Sequence, residues 1–297
     1  MVYNPRSGRG KGEKLAGAIA EGLSRRGHTL TRLQMLADPK QIEQAIDDAD
    51  RSVVVGGDGT VHHLLPVLAE TRTPLYHCGT GTANLIGTEF AMVSRPARAI
   101  EDIERDGEPV LVDMPTCNGH PFLIMVSLGI DASVIHRFEE SRKLGGYRSY
   151  VLPTAREILS PRPATFTLRD WSHPKPAIAA TGILVVANMR SYGGGFNPCP
   201  DARSDDGLLD AAIIPCRGSV VAGLRYGVLA LRRTPPGVQR VRGDALEIMA
   251  EQTQAFVQID GEKAVQIPGL NGGRLSIGDR LEFRMSGKHI CMHARSS

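Results

Sequence analysis

No stretch of this 297-residue chain approaches the roughly 18 consecutive apolar residues of a membrane-crossing helix, and no secretory leader precedes the first motif. A soluble, cytoplasmic protein is the expectation. Cysteine is scarce and scattered: Cys78, Cys117, Cys199, Cys216 and Cys291 form no C-x-x-C pair. An odd, dispersed set argues against a disulfide framework or a zinc site and reads as reduced thiols. Charge of one sign is also lacking. The formal net charge of +3 is too small to argue for a nucleic-acid partner, although it allows weak attraction to an anionic membrane face. Low-complexity blocks and internal repeats are absent, and 41% hydrophobic residues suffice for a real core, so two medium domains are expected.

What is present begins abruptly. Met1-Val2-Tyr3 reads as the tail of a first strand, because the next residues already form the loop after it; a longer native N-terminus is expected. Leu15, Ala18, Ile19 and Leu23 recur at helical spacing and predict a helix over 14–26, with Gly27 as its stop. A short strand over 28–33, a helix over 39–49, a buried parallel strand over 52–55, a helix over 60–69 and a strand over 74–77 follow. That rhythm predicts a doubly wound α/β domain over residues 1–113. After Val110-Leu111-Val112 the pattern changes. Strand-like runs over 122–127, 164–168, 182–187, 208–214, 245–249, 255–259, 264–267 and 281–285 alternate with turn signals such as Asn118-Gly119 and Asn271-Gly272-Gly273. They predict a mostly antiparallel β domain over 114–285, broken by helices over 147–159 and 219–232.

The strongest local signal is Gly56-Gly57-Asp58-Gly59-Thr60, between a strand and a helix. Glycines there let the backbone approach a phosphate, and the N–H groups of the first helical turn point at the anion. A carboxylate repels phosphate, so Asp58 either caps the helix in an ordinary tight turn or works through an intervening Mg²⁺. Two more loops fall at the same carboxyl edge of the predicted sheet: Asn4-Pro5-Arg6-Ser7-Gly8-Arg9-Gly10-Lys11 and Gly79-Thr80-Gly81-Thr82-Ala83-Asn84. Ligands of open α/β sheets bind at that edge, so the three loops can line one pocket. None is a P-loop or a dinucleotide fingerprint. The segment 198–210 carries Asp201, Asp205, Asp206 and Asp210 into a strand; it is either a solvated acidic turn or a hard-cation site. Asp260-Gly261-Glu262 favours a type I′ hairpin. Tyr192-Gly193-Gly194-Gly195-Phe196 is either a substrate-gating loop or a glycine-rich bulge.

In this order, residues 4–8 (N-P-x-S-G), 56–60 (G-G-D-G-T), 81–84 (G-T-A-N), 192–210 (Y-G-G-G through D-G-L-L-D) and 260–262 (D-G-E) resemble the diacylglycerol kinase catalytic family along nearly the whole chain. The resemblance implies an NAD-kinase-like α/β domain and a β-sandwich-like domain, the chain returning to the first over 286–297. It implies an ATP-dependent lipid kinase that moves the γ-phosphoryl group to a diacylglycerol-like or sphingoid hydroxyl with Mg²⁺, in phospholipid metabolism. Asn4, Pro5, Arg6, Ser7, Gly8, Gly57, Asp58, Gly59, Thr60, Val61, His62, His63 and Thr82 would surround the nucleotide. Asp58 would reach the catalytic Mg²⁺ network. Asp206 would hold Mg²⁺ through its side chain, with the carbonyls of Arg203 and Leu208. Glu262 would be the general base. Peripheral membrane contact is implied, and a homodimer is allowed.

Three positions depart from the family pattern: His62 and His63 stand where Asn and Glu are common, and Leu85 where Asp is common. A zinc role for the two histidines does not suit adjacent helical positions. NAD kinase shares G-G-D-G-T, but residues 79–90 lack its N-x-G-x-L-G-F-L segment. A catalytically weak nucleotide- or lipid-binding relative is the other alternative, against which Asp58 and Glu262 are both present. Two basic regions, Arg137, Arg142, Lys143, Arg148, Arg156 and Arg162, and then Arg232, Arg233, Arg240 and Arg242, are either solvated faces or headgroup contacts.

Overall fold

A computed structural model describes residues 1–105, 107–141, 163–173, 175–192, 197–217, 221, 224–225, 228, 235–251 and 254–293. The expected helix over 147–159, the 193–196 glycine run and nearly all of the expected 219–232 helix lie outside these residues, as do Arg142, Lys143, Arg148, Arg156, Arg162, Arg232 and Arg233. Two compact units divide the chain: Met1–Met114 with Lys288–Ser297, and Pro115–Gly287.

The first unit runs β1 (Val2–Tyr3), α1 (Lys11–Arg25), β2 (Leu33–Gln34), α2 (Pro39–Asp47), β3 (Ser52–Gly56), α3 (Asp58–Leu68), β4 (Leu75–Gly79), α4 (Leu85–Glu89), α5 (Pro96–Glu104) and the start of β5 (Val110–Cys117). Strands β2, β1, β3 and β4 lie side by side in that order, all parallel. Strand alternation divides their side chains between two faces. On one face, Tyr3, Val53, Val55, Tyr76 and Cys78 pack with Ala16, Ile19 and Leu23 of α1 and Ala99, Ile100 and Ile103 of α5. Val54, between two residues of that core, points the other way and is paired in register with His77. Helices α2 and α3 pack together and bury Ile42, Ile46, Leu64, Leu65 and Leu68. Asp38 accepts the Lys40 N–H at 2.8 Å and Pro39 opens α2, a conventional helix start.

The differences from expectation are local. The 28–33 strand shrinks to Leu33–Gln34, because its partner β1 offers only Val2 and Tyr3 for pairing. Helix α3 begins at Asp58 rather than Thr60, so Asp58 belongs to its first turn. Helix α5 was not expected, although Pro96 at its start and buried Ala99, Ile100 and Ile103 at helical spacing carry the signal.

The second unit takes up the end of β5 and adds β6 (His120–Pro121), β7 (Met125–Leu128), α6 (Ile130–Ser141), β8 (Ala164–Asp170), β9 (Ile178–Ala187), β10 (Leu209–Pro215), β11 (Gln239–Gly243), β12 (Ala245–Ala250), β13 (Ala255–Ile259), β14 (Glu262–Lys263), β15 (Arg274–Leu275) and the first part of β16 (Arg280–Met292). Among its described residues the strands β6–β15 and the first part of β16 pair antiparallel. Along one edge β9 pairs with β8 and then with β7, while its other edge pairs with β10. The handover falls at Gly182, where a Cβ would lie 2.1 Å from the Ile214 carbonyl oxygen. Phe122, Phe166, Leu168, Leu246, Ile248, Val257 and Phe283 share a single core. The expected strand over 264–267 is instead a turn that still buries Ala264 and Ile267. Strand β16 ends in the first unit, where Met292 pairs in parallel with Leu75.

All five cysteines are free and buried, and burial pushes the Cys78 thiol up to about 12. Among the described residues no helix is long and apolar enough to cross a membrane.

Candidate active site

In the first unit the chain leaves β1 toward β2 on one side of the sheet, and β3 lies on the other. Such a reversal opens a crevice at the carboxyl ends of the two central strands. The loops after β1 and β3 border it, and the loop after β4 stands beside them. Side chains tie the three together. Asn4 Nδ2 donates to Thr60 Oγ1 at 3.3 Å, and the Ser7 and Thr80 hydroxyls share a hydrogen bond of 2.6 Å. Ser7 Oγ also donates to the Asn4 carbonyl at 2.9 Å. Asn84 folds over its own loop, accepting from Gly81 N at 2.8 Å and donating to Gly81 O at 3.1 Å.

Glycine makes this closeness possible. A Cβ on Gly8 would stand 2.5 Å from the Thr80 carbonyl oxygen, and Gly8 has φ +56°. Arg9 follows with φ +60°, a left-handed conformation that strains a residue with a side chain. Asn4, Pro5, Ser7, Gly8, Gly57, Asp58 and Gly59 are half-buried, while Arg6, Thr82 and His63 are exposed. Thr60, Val61 and His62 are buried, so any part Val61 plays at a ligand is through its backbone.

Asp58 makes no capping bond to α3; Gly57 occupies the cap position. Its Oδ1 instead accepts the N–H of Ile86, in the first turn of α4, at 3.1 Å. That bond joins the β3 loop to the β4 loop and leaves a carboxylate at the amino end of α3, where the helix dipole favours negative charge. Behind the turn lies His77, fully buried, whose Nε2 is 3.1 Å from the Gly56 carbonyl oxygen. Burial holds this imidazole below its ordinary value, against the opposing pull of Asp58 and the Gly56 and Gly57 carbonyls.

In the second unit Asp260 (φ +50°) and Gly261 (φ +82°) both have positive φ, as a type I′ turn requires. Glu262, half-buried, follows the turn and pairs with Ile259. Asp260 does more than turn the chain. Its buried carboxylate accepts from the N–H groups of Leu123 (2.9 Å), Ile124 (2.7 Å) and Met125 (3.0 Å). This explains why the strand expected over 122–127 begins only at Met125: its first N–H groups serve a carboxylate instead of a neighbouring strand. Gln258 braces the same hairpin, accepting from Gly261 N and donating to Ser127 Oγ, both at 2.8 Å.

The acidic turn before β10 is a network. Arg203 grips Asp205 through Nε (3.1 Å) and Nη2 (3.3 Å), Asp206 Oδ1 accepts from Leu208 N at 3.1 Å, and Arg242 pairs with Asp206 and, at 3.5 Å, with Asp210. Arg240 donates to the Pro198 carbonyl at 3.1 Å, so this basic pair is engaged locally. Burial, reinforced by Asp206 and Asp201, raises the Asp210 carboxyl, and its Oδ2 accepts no hydrogen bond. The carboxylate and carbonyl groups that could bind an ion there are all oxygens, which suits a hard divalent cation. Among the described residues no three carboxylate, imidazole or thiolate side chains form a metal cluster. An ion at Asp206 would therefore depend on the Arg203 and Leu208 carbonyls and on water.

The structure brings together the expected residues of the 4–8, 57–63 and 80–84 segments within one unit; Asp206 and Glu262 belong to the other. Thr80, Asn84, His77 and Asp260 were not among the residues assigned roles from sequence. Thr80, Asn84 and Asp260 lay in motifs already noted. No local signal marked His77.

The sequence profile of the diacylglycerol kinase catalytic domain matches residues 1–117, and that of the YegS C-terminal NAD kinase beta sandwich-like domain matches residues 124–272. A diacylglycerol kinase of Mycobacterium tuberculosis is 33% identical over 220 residues, 70% of each chain. A diacylglycerol kinase structure from Bacillus anthracis superimposes with a TM-score of 0.68 at 18% identity, covering 99% of this chain and 95% of that one. An NAD kinase from Archaeoglobus fulgidus, solved in complex with ATP, gives 0.50 at 17% identity, covering 94% and 88%. These two likenesses show the NAD-kinase-like fold. With both profiles in sequence order and the relative at 33% identity, this chain belongs to the lipid kinases of the diacylglycerol kinase catalytic family.

Proposed function

We propose that this lipid kinase transfers the γ-phosphoryl group of ATP to the hydroxyl of a diacylglycerol-like or sphingoid lipid, with Glu262 as general base. The observation that carries the reading is the three braced loops at the carboxyl edge of β1, β3 and β4. They combine close backbone approach with the amino end of α3, and such features bind phosphate. Asn4, Ser7, Gly8, Gly57, Gly59, Thr60 and Thr82 hold the nucleotide in this reading, with Pro5, Arg6, Val61, His62 and His63 beside them. Phosphoryl transfer asks mainly for positioning and charge stabilisation. Asp58 is suited to orient cation-bound water, since its carboxylate is fixed by Ile86 N. Glu262 accepts the proton of the attacking hydroxyl, and its place after a rigid turn limits its wandering. Mg²⁺, when bound at Asp206 with the carbonyls of Arg203 and Leu208, supplies charge neutralisation for the phosphates. The lipid is met by peripheral contact at a membrane surface, and a homodimer is compatible with the reading.

The test is Mg²⁺- and ATP-dependent phosphate transfer into a panel of lipids in mixed micelles, with NAD as a competing acceptor and Glu262→Ala alongside. A phosphorylated lipid whose formation drops about 100-fold or more in the variant supports the assignment, that being the lower end of general-base effects. Phosphorylated NAD would move the acceptor to the nucleotide class. A Glu262→Ala enzyme within threefold of wild type would remove Glu262 from the chemistry.

A further inference from the structure

Histidine is a costly residue to seal inside a parallel sheet, where neighbouring strands bury continuous apolar runs. Here it occupies the centre of β4, completely buried, between the apolar neighbours Tyr76 and Cys78. Its backbone already does what a strand residue must: His77 pairs in register with Val54. The side chain therefore adds something the sheet does not need. Its Nε2 lies 3.1 Å from the Gly56 carbonyl oxygen, and since a carbonyl only accepts, that nitrogen carries the proton. The same oxygen accepts from Thr80 N at 2.8 Å. Gly56 O is held from two directions, one of them the β4 loop, immediately before the chain turns through Gly57 into Asp58.

The opposite ring nitrogen sharpens the point. Nδ1 is buried and has no hydrogen-bond partner. A Cβ on Gly87 would come within 4.0 Å of it, so α4, whose first turn supplies the N–H bound by Asp58, packs against the ring. An apolar side chain of similar size would fill this space without burying an unsatisfied nitrogen, whose burial costs on the order of 1–3 kcal/mol. The imidazole is thus kept where packing alone would choose leucine or phenylalanine. What it gains is control over one carbonyl at the root of the Gly57-Asp58 turn. The 3.1 Å contact to the Gly56 carbonyl places the ring directly beneath that turn.

We propose that His77 is a positioning residue for phosphoryl transfer. As a neutral, Nε2-protonated imidazole it pins the Gly56 carbonyl and thereby sets the direction in which Asp58 and the first turn of α3 face. It touches no substrate and exchanges no proton; it acts through Asp58. This rests on the lipid kinase reading above and adds a residue that the glycine-loop motif does not contain.

The experiment compares His77→Leu and His77→Gln with wild type in the micelle assay at varied ATP. Leucine keeps the volume and loses the donor; the glutamine amide restores a donor at the reach of Nε2. The expected result is a His77→Leu protein with an unchanged or higher unfolding midpoint but kcat lowered roughly tenfold or more, since a displacement of about 1 Å at a reacting site costs up to about 100-fold. His77→Gln recovers most of that kcat. A folded His77→Leu enzyme with kcat and KM for ATP within twofold of wild type would overturn the proposal, as would a glutamine variant no better than leucine. Imidazole ¹⁵N chemical shifts of wild type give a second reading independent of turnover. A neutral Nε2–H signal unchanged between pH 5.5 and 8 is expected, and the other tautomer or a titrating ring rules it out. If wild type phosphorylates no lipid, the function reading fails, while the ¹⁵N spectrum still decides the state of His77.

Discussion

The two units hold their candidate residues by opposite means. In the first, neutral side chains and glycines do the work: Asn4 binds Thr60, Ser7 binds Thr80, Asn84 closes on Gly81, and a lone carboxylate, Asp58, is anchored by a backbone N–H. In the second, carboxylates are concentrated and held by stronger partners: three N–H groups on Asp260, and Arg203 and Arg242 on the acidic turn. On the proposed function, the contrast follows from the charge each would accommodate. A surface meant for phosphate would tolerate little negative charge of its own and rely on shape and amide dipoles. A region meant to keep carboxylates ready for a cation or a proton would immobilise them with positive groups and donors. Loss of a carboxylate held by several donors should therefore be large, and damage to the first unit steric and moderate.

The largest expected effect is at Asp260. Replacing it by alanine strands three buried N–H groups, each worth on the order of 1–3 kcal/mol when unsatisfied. We expect Asp260→Ala to lose at least about 3 kcal/mol of stability by urea denaturation, with kinase activity falling as the Glu262 hairpin loosens. Asp260→Asn retains an acceptor oxygen and should lose roughly half as much. A loss below about 1 kcal/mol for Asp260→Ala would mean that water replaces the carboxylate, and the contrast between the units would weaken.

That carboxylate also marks where sequence reasoning stops. The parallel sheet, the three loops and the type I′ turn are legible because each is written in adjacent residues: a β-branched run, a glycine cluster, an Asp-Gly pair. The bonds of Asp260 join positions 135 to 137 residues apart. Nothing near Leu123 announces that its N–H will meet a side chain, so an apolar run reads as a strand three residues too early. Helix α6 escaped for a related reason. Its buried positions include Ser133, which donates to the Gly129 carbonyl at 3.0 Å, and His136, whose Nε2 pairs with the Val257 carbonyl at 2.9 Å. Buried polar residues, satisfied within the helix start like Ser133 or by a tertiary contact like His136, blur the apolar stripe that identifies a helix. His77 is the same case in a strand: its partner carbonyl lies across the sheet.

Gly8 tests the steric side of the contrast. Gly8→Ala meets the Thr80 carbonyl oxygen at 2.5 Å and also places a side chain at φ +56°. The conformation alone costs about 1–2 kcal/mol. Relief requires the β1 loop to move from the β4 loop, opening the Ser7–Thr80 bond. We expect a stability loss of about 2–3 kcal/mol, the conformation and the opened hydrogen bond together, and a KM for ATP raised several-fold, with kcat changed less. Arg9→Gly, which relaxes the neighbouring left-handed residue without a clash, should raise stability slightly. If Gly8→Ala lowers kcat and leaves KM alone, the loop serves the reacting groups and not nucleotide binding.

The smallest effect, and the one with a sign that ordinary carboxylates do not share, is at Asp210. Burial holds its carboxyl above the ordinary value of 3.8, with Asp206 and Asp201 adding to the shift and Arg242 opposing it. A folded-state value above the unfolded one means that ionisation is harder in the folded protein. The stability this group contributes is complete below the unfolded value and is lost as pH rises through the folded one. Most paired carboxylates do the reverse. Asp210→Asn abolishes that loss, so its urea midpoint should exceed that of wild type at neutral pH, by less than about 1 kcal/mol given solvent screening. The gap should close as pH falls below 3.8, where wild-type Asp210 is protonated in both states. Should the variant instead be weaker at neutral pH, the Arg242 ion pair outweighs the burial of Asp210, and the acidic turn gains stability from its charges.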